Sequence, residues 1–149
     1  MIDESDKSLF RNAVEQQKTI DKDSNNKNHP FKNKLNKPFE DYKYLYEPNI
    51  TGSEPVIHFK VGLSPKIIKK MKQGNIGSTP SIDLHGHKIE EACQSLSRFI
   101  HFHSNERFIH IIHGKGYHSN NGLSIIKSQV VHYLKQHPQV LAFCSCPQD

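Results

Sequence analysis

Residues 81–116 read SIDLHGHKIEEACQSLSRFIHFHSNERFIHIIHGKG, and their pattern decides the fold. Ser81-Ile82-Asp83-Leu84 is a short apolar run that reads as a strand. Ile89, Ala92, Cys93, Leu96, Phe99 and Ile100 follow at the spacing of one helical face, which predicts a helix over 88–103. Arg107-Phe108-Ile109-His110-Ile111-Ile112 is rich in β-branched and aromatic residues and predicts a second strand. A strand–helix–strand unit of this length is expected to cross over right-handed. Open α/β sheets hold their ligand sites at the carboxyl ends of such strands. Here those ends carry Asp83-Leu84-His85-Gly86 and His113-Gly114-Lys115-Gly116.

Toward the C-terminus, Leu123, Ile126, Val130, Tyr133 and Leu134 predict a second helix ending before Pro138, and Gln139 to Cys144 a third strand. The expected fold class is therefore α/β, a small two-layer β-α-β-α-β sandwich with a parallel or mixed sheet. Toward the N-terminus, residues 55–60 read as another strand. Ser64 and Pro65 then suit the cap and first residue of a helix that runs to Lys72 and stops at Gly74. That helix carries Lys66, Lys69, Lys70 and Lys72 and no acid, either as a binding face or as a solvated one. Phe39, Tyr42, Tyr44, Leu45 and Tyr46 are expected to pack on the domain rather than to stack on bases. Residues 18–38 are rich in Lys, Asn and Asp and are expected to be a disordered linker. Residues 5–20 suit a short helix, either a docking peptide or a fraying end. The boundaries expected are thus an N-terminal extension over 1–54, a strand and basic helix over 55–79, and the domain over 80–149.

The whole chain has 149 residues, a formal charge of +5 and 34% hydrophobic residues. A basic balance favours polyanionic partners, nucleic acid before all. Three cysteines, Cys93, Cys144 and Cys146, do not form a disulfide framework and suit a reducing compartment. No run approaches the length of a membrane span, and the acidic N-terminus lacks a signal-peptide core, so a cytoplasmic protein without membrane partners is expected.

The two strand-end loops suit phosphate chemistry. Glycines let backbone N–H groups approach an anion, and Lys115 adds a positive charge. An imidazole such as His85 can move a proton near neutral pH. Asp83 shares a strand face with it at i and i+2, placed to orient it or to bind substrate beside it. Nine of the eleven histidines fall in residues 81–149, yet no spacing among His and Cys matches a zinc pattern. No cofactor is called for, although Asp83 is a suitable ligand for a divalent metal assisting phosphate hydrolysis.

Asp83-Leu84-His85-Gly86 resembles the first signature of the Smr (small MutS-related) domain, with Ile82 in place of the usual Leu before the Asp. His113-Gly114-Lys115-Gly116 resembles its second, glycine-rich signature, and the spacing and the Pro138-to-Phe143 stretch are similar too. The likeness covers about half the chain, and the extension resembles, more weakly, that of stand-alone bacterial forms. It implies an endonuclease that nicks or cleaves nucleic acid, RNA before DNA, with the ribosome and its mRNA as partners. It implies Asp83, His85 and His113 as catalytic, and Gly86, Gly114, Lys115, Gly116 and His118 as phosphate-binding. Family members usually continue with a glycine-rich turn and one more apolar strand where this sequence stops at Asp149, so the final strand is expected to be lacking. The rival readings are a binding module without turnover and a ribosome-docking adaptor.

Overall fold

The computed structural model describes residues 35–60, 62–116 and 121–147. The helix expected at 5–20 and the linker up to residue 34 lie outside these residues, as does His118. In chain order the elements are β1 (Ile57–Phe59), α1 (Pro65–Lys72), β2 (Ser81–Asp83), α2 (Ile89–Phe102), β3 (His110–Ile112), α3 (Ile125–Gln136) and β4 (Ala142–Cys144).

β2 and β3 pair in parallel, with Ser81 opposite His110 and Asp83 opposite Ile112. The Leu84 N–H extends the ladder to the Ile112 carbonyl at 2.7 Å. β4 pairs antiparallel with β1, the strand that precedes the basic helix, with Ile57 opposite Cys144 and Phe59 opposite Ala142. The α/β fold thus carries both strand directions, in two short ladders.

α2 buries Ala92, Cys93, Leu96 and Ile100, the face that its spacing predicts. Glu90 and Glu91 sit in its first turn, where the helix dipole favours negative charge, and Glu91 accepts from the Lys88 N–H at 3.2 Å. α1 begins with Pro65 after Ser64, whose carbonyl rather than hydroxyl makes the cap bonds. It ends before Gly74, which adopts the left-handed conformation (φ 70°) that stops the helix at least cost. The core joins Leu84, Ala92, Leu96 and Ile100 to Val130, Tyr133 and Leu134, with Ile82, Ile109, Ile111 and Phe143 packed around them.

Residues 38–50, grouped by sequence with the extension, lie along α2 and α3. Phe39 and Tyr42 pack on Tyr133, with ring centroids 6.0 and 4.9 Å away. The Phe39 carbonyl accepts from the Ser97 hydroxyl (2.7 Å) and the Tyr133 hydroxyl (3.2 Å). Side chains of α3 then take up the backbone of this strap. Gln136 bonds both the N–H and the carbonyl of Lys43, Gln129 accepts from Leu45, and the Ser128 hydroxyl accepts from Asn49 and Ile50. These buried polar groups are tolerated because they find backbone partners, although the Gln129 Nε2 is buried without one.

His137 closes α3 and is 1% exposed. Its Nδ1 accepts from the Gln139 N–H at 3.2 Å, a bond that needs the unprotonated nitrogen. Burial, followed by the nearby Lys60 ammonium, pushes its pKa from the ordinary 6.5 down to about 4. The unfolded chain therefore binds a proton that the folded chain refuses between these values, and stability falls as the pH drops through that window. Chemical denaturation at pH 7 and pH 5 should show a loss of about 2 kcal/mol from this residue. A His137→Gln variant, which cannot protonate, should have a shallower pH slope whatever its stability at pH 7; an unchanged slope would contradict the assignment.

Candidate active site

The parallel register of β2 and β3 brings both loops to one end of the ladder. Asp83 Oδ1 accepts from the His85 N–H at 3.0 Å and lies 2.7 Å from His85 Nδ1. These two bonds, the backbone one first, hold the Asp83 carboxyl below the usual carboxylate range. With Nδ1 donating to the carboxylate, the lone pair of a neutral His85 ring resides on Nε2, turned away from Asp83. The His85 and Asp83 side chains are 73% and 46% exposed, so the pair is open to a polymer rather than enclosed around a small molecule.

Gly114 lies against His85. A methyl group added at Gly114 would sit 3.4 Å from the His85 Cβ, and the glycine holds φ at 77°. The glycine loop therefore meets the Asp83–His85 pair directly, as the spacing of the motifs predicts. Gly86 has the same left-handed backbone at the other loop (φ 74°). His113 is half-buried beneath, with Nδ1 2.7 Å from the Gly114 carbonyl, so that nitrogen carries the proton. Burial, together with the Lys127 ammonium, lowers its pKa and holds it neutral near pH 7 despite the opposing Gly114 bond. Its place is under the loop, bonded to it.

A third segment completes the site and was not legible as part of it. Residues 50–54 follow the aromatic strap and pass beneath the glycine loop. Thr51 bridges Leu123, the Gly52 N–H donates to the Gly122 carbonyl (3.3 Å), and the Ser124 N–H donates to the Ile50 carbonyl (2.8 Å). A methyl group on Gly52 would lie 2.0 Å from the Lys115 carbonyl oxygen. On the other side, Gly116 packs on Ser124, the α3 cap whose hydroxyl accepts from the Lys127 N–H. Lys127 reaches back to the carbonyls of residues 51, 52 and 54. One sequence signal points to it: Leu123, Lys127, Val130, Val131 and Leu134 share the apolar spacing of α3, with a lysine in the stripe.

His87 stays beside the pair, its Nδ1 3.4 Å from the His85 carbonyl, while two other described histidines pack on aromatic rings. His58 packs on Phe143 (5.2 Å), and His103 on Phe99 (4.5 Å) and Phe102 (4.9 Å). Among the described residues no three His, Cys, Asp or Glu side chains form a group able to hold a metal ion. Burial raises the Cys93 thiol to about 11 and raises Cys144 as well, so neither is a ready nucleophile. No helix of the described residues is long and apolar enough to cross a membrane.

Paired loops on parallel strand ends, an aspartate-bonded histidine and a glycine-rich turn define a small α/β domain with an exposed polar site. Residues 82–149 match the Smr domain, and this part of the chain belongs to that family. It is 30% identical over 129 residues to a ribosome rescue factor SmrB of Buchnera aphidicola, covering 83% of this chain and 66% of that protein. It is 27% identical over 158 residues to the ribosome rescue factor SmrB of Tolumonas auensis, covering 99% and 87%. To that of Aliivibrio salmonicida it is 28% identical over 161 residues, covering 99% and 88%. The chain thus spans just under two thirds of the Buchnera relative's length. No solved structure matches the chain.

Gly52→Ala tests the three-loop contact. Its methyl group meets a carbonyl rather than a flexible side chain, so the loops must part. The variant should lose about 1–3 kcal/mol in denaturant unfolding, and the amide resonances of Lys115 and Gly116 should move. A variant as stable as the parent, with those resonances unmoved, would contradict the packing.

Proposed function

We propose that this chain is an endonuclease that cleaves RNA, with mRNA on the ribosome as the natural substrate. One observation carries the reading: an exposed histidine, oriented by an aspartate, stands against a glycine loop at parallel strand ends. The relatives named ribosome rescue factors supply the ribosomal context. The basic charge of the chain suits a polyanionic partner.

In this mechanism His85 Nε2 takes the proton of a ribose 2′ hydroxyl, and Asp83 stabilises the imidazolium that forms. The 2′ oxygen bonds to phosphorus as the bond from phosphorus to the 5′ oxygen breaks, leaving a 2′,3′-cyclic phosphate. The leaving oxygen takes a proton from His118 or from water, and His85 returns its proton to solvent. Backbone N–H groups of Gly114 and Gly116, with Gly86 across the cleft, face the pentavalent phosphate, and Lys115 adds charge. His113 is the positioning member of the set: a ring held neutral by burial is a poor proton donor, and its bond to the Gly114 carbonyl fixes the loop.

End-labelled single-stranded RNA and plasmid DNA, each with and without chelator, provide the test. His85→Ala should lower the RNA cleavage rate by about 100- to 10,000-fold while leaving RNA affinity within a few fold of the parent. Cleavage of RNA by the parent should persist in chelator. If the folded parent binds RNA and cuts none, free or on a stalled ribosome, the chain is a binding module and the proposal fails.

A further inference from the structure

Lys127 is a buried charge that the proposed chemistry leaves without a task. It is 4% exposed, on the inward stripe of α3 beside Val130 and Val131. Its Nζ donates to the carbonyls of Thr51 (3.0 Å) and Gly52 (3.1 Å), and also to that of Glu54. Three acceptors match the three protons of an ammonium, whereas a neutral amine could serve only two. The geometry therefore selects the charged form, even though burial lowers the lysine's pKa, with the charge of Glu54 opposing that shift. Taking an ammonium out of water costs several kcal/mol unless its partners are well placed, so the loop carbonyls and the charge depend on each other.

The loop held in this way is the one on which Lys115 rests. Gly52 touches the Lys115 carbonyl, and Gly116 touches Ser124, one turn before Lys127. A single turn of α3 thus fixes both the floor and one wall of the glycine loop. It also places a positive charge behind that loop, where the surrounding protein screens it less than water would. The field of this charge reaches His113, whose pKa it lowers.

We infer that Lys127 is a positioning residue for the phosphate loop: its ammonium clamps residues 51–54 as the support of Lys115 and Gly116, and its charge favours a phosphate anion on the loop's outer side. The catalytic consequence rests on the RNA-cleavage reading, while the clamp itself does not.

The test compares Lys127→Met, Lys127→Gln and Lys127→Arg in the full chain. Three quantities are read: hydrogen exchange of the Gly52 and Ser124 amides, the NMR titration of His113, and the RNA cleavage rate at saturating and subsaturating RNA. In Lys127→Met the two amides should exchange at least about tenfold faster than in the parent. The pKa of His113 should rise, and the saturated rate should fall by roughly 10- to 100-fold as the loop is misplaced. Lys127→Arg, which keeps the charge, should bring the His113 titration back toward that of the parent. Unchanged exchange and an unchanged His113 titration in a folded Lys127→Met chain would overturn the inference. Should that variant not fold, Lys127→Gln, uncharged but able to serve two carbonyls, decides the same quantities. If the parent itself cuts no RNA, the cleavage reading fails, and exchange and titration still judge the clamp.

Discussion

The site depends on the parallel pairing of β2 with β3 in one register. With Asp83 opposite Ile112, the residues that follow each strand leave the ladder side by side. His85 then falls two residues beyond β2, and Gly114 two beyond β3, close enough that a methyl group on Gly114 would touch His85. A slip of one residue would turn Asp83 to the other face of the ladder and part the two loops. The crossover helix α2 enforces the register by burying Ala92, Leu96 and Ile100 against Leu84 and its neighbours. Core packing and site geometry are therefore one constraint, since Leu84, fully buried, lies between Asp83 and His85 in the chain.

α3 performs the second task, holding the segment that reaches the site from outside the crossover unit. It does so with polar side chains. Ser128, Gln129 and Gln136 bond the strap's backbone, and Lys127 bonds the loop beneath Lys115. A residue on this face is satisfied only when the strap is in place, so the strap and the helix order each other. The buried amides and hydroxyls serve to specify one arrangement more than to add stability, because each bond largely replaces one made to water.

The elements that follow apolar periodicity were legible in the sequence: α2 from Ile89, Ala92, Cys93, Leu96 and Ile100, and β3 from its β-branched run. The two loops were legible mainly through the resemblance of Asp83-Leu84-His85-Gly86 and His113-Gly114-Lys115-Gly116 to the Smr signatures, because a Gly-Lys-Gly turn or an Asp-x-His strand end alone is common in ordinary loops and caps. Of the residues over 39–46 expected to pack on the domain, Phe39 and Tyr42 do, whereas Tyr44 and Tyr46 are exposed. The path of the chain between them and β1 was not legible. Thr51 and Gly52 look like an ordinary turn, and bonds from side chains to backbone carry no period that a sequence displays. The pairing of β1 with β4 was equally hidden, because Ile57 and Phe59 remain half-exposed and each ladder position is settled only by tertiary contact. The burial that lowers the pKa of His113 could not be read either, since it is settled only by tertiary packing.

In the proposed reaction His85, held by Asp83, draws the proton from a ribose 2′ hydroxyl. The most direct measurement places a single 2′-deoxynucleotide at a mapped cleavage position in an otherwise ribose oligonucleotide. Cutting should stop at that position alone, and the all-ribose substrate should yield an upstream fragment ending in a 2′,3′-cyclic phosphate. Cleavage at the same bond without its 2′ hydroxyl would show that another nucleophile attacks the phosphorus, and would contradict the role given to His85.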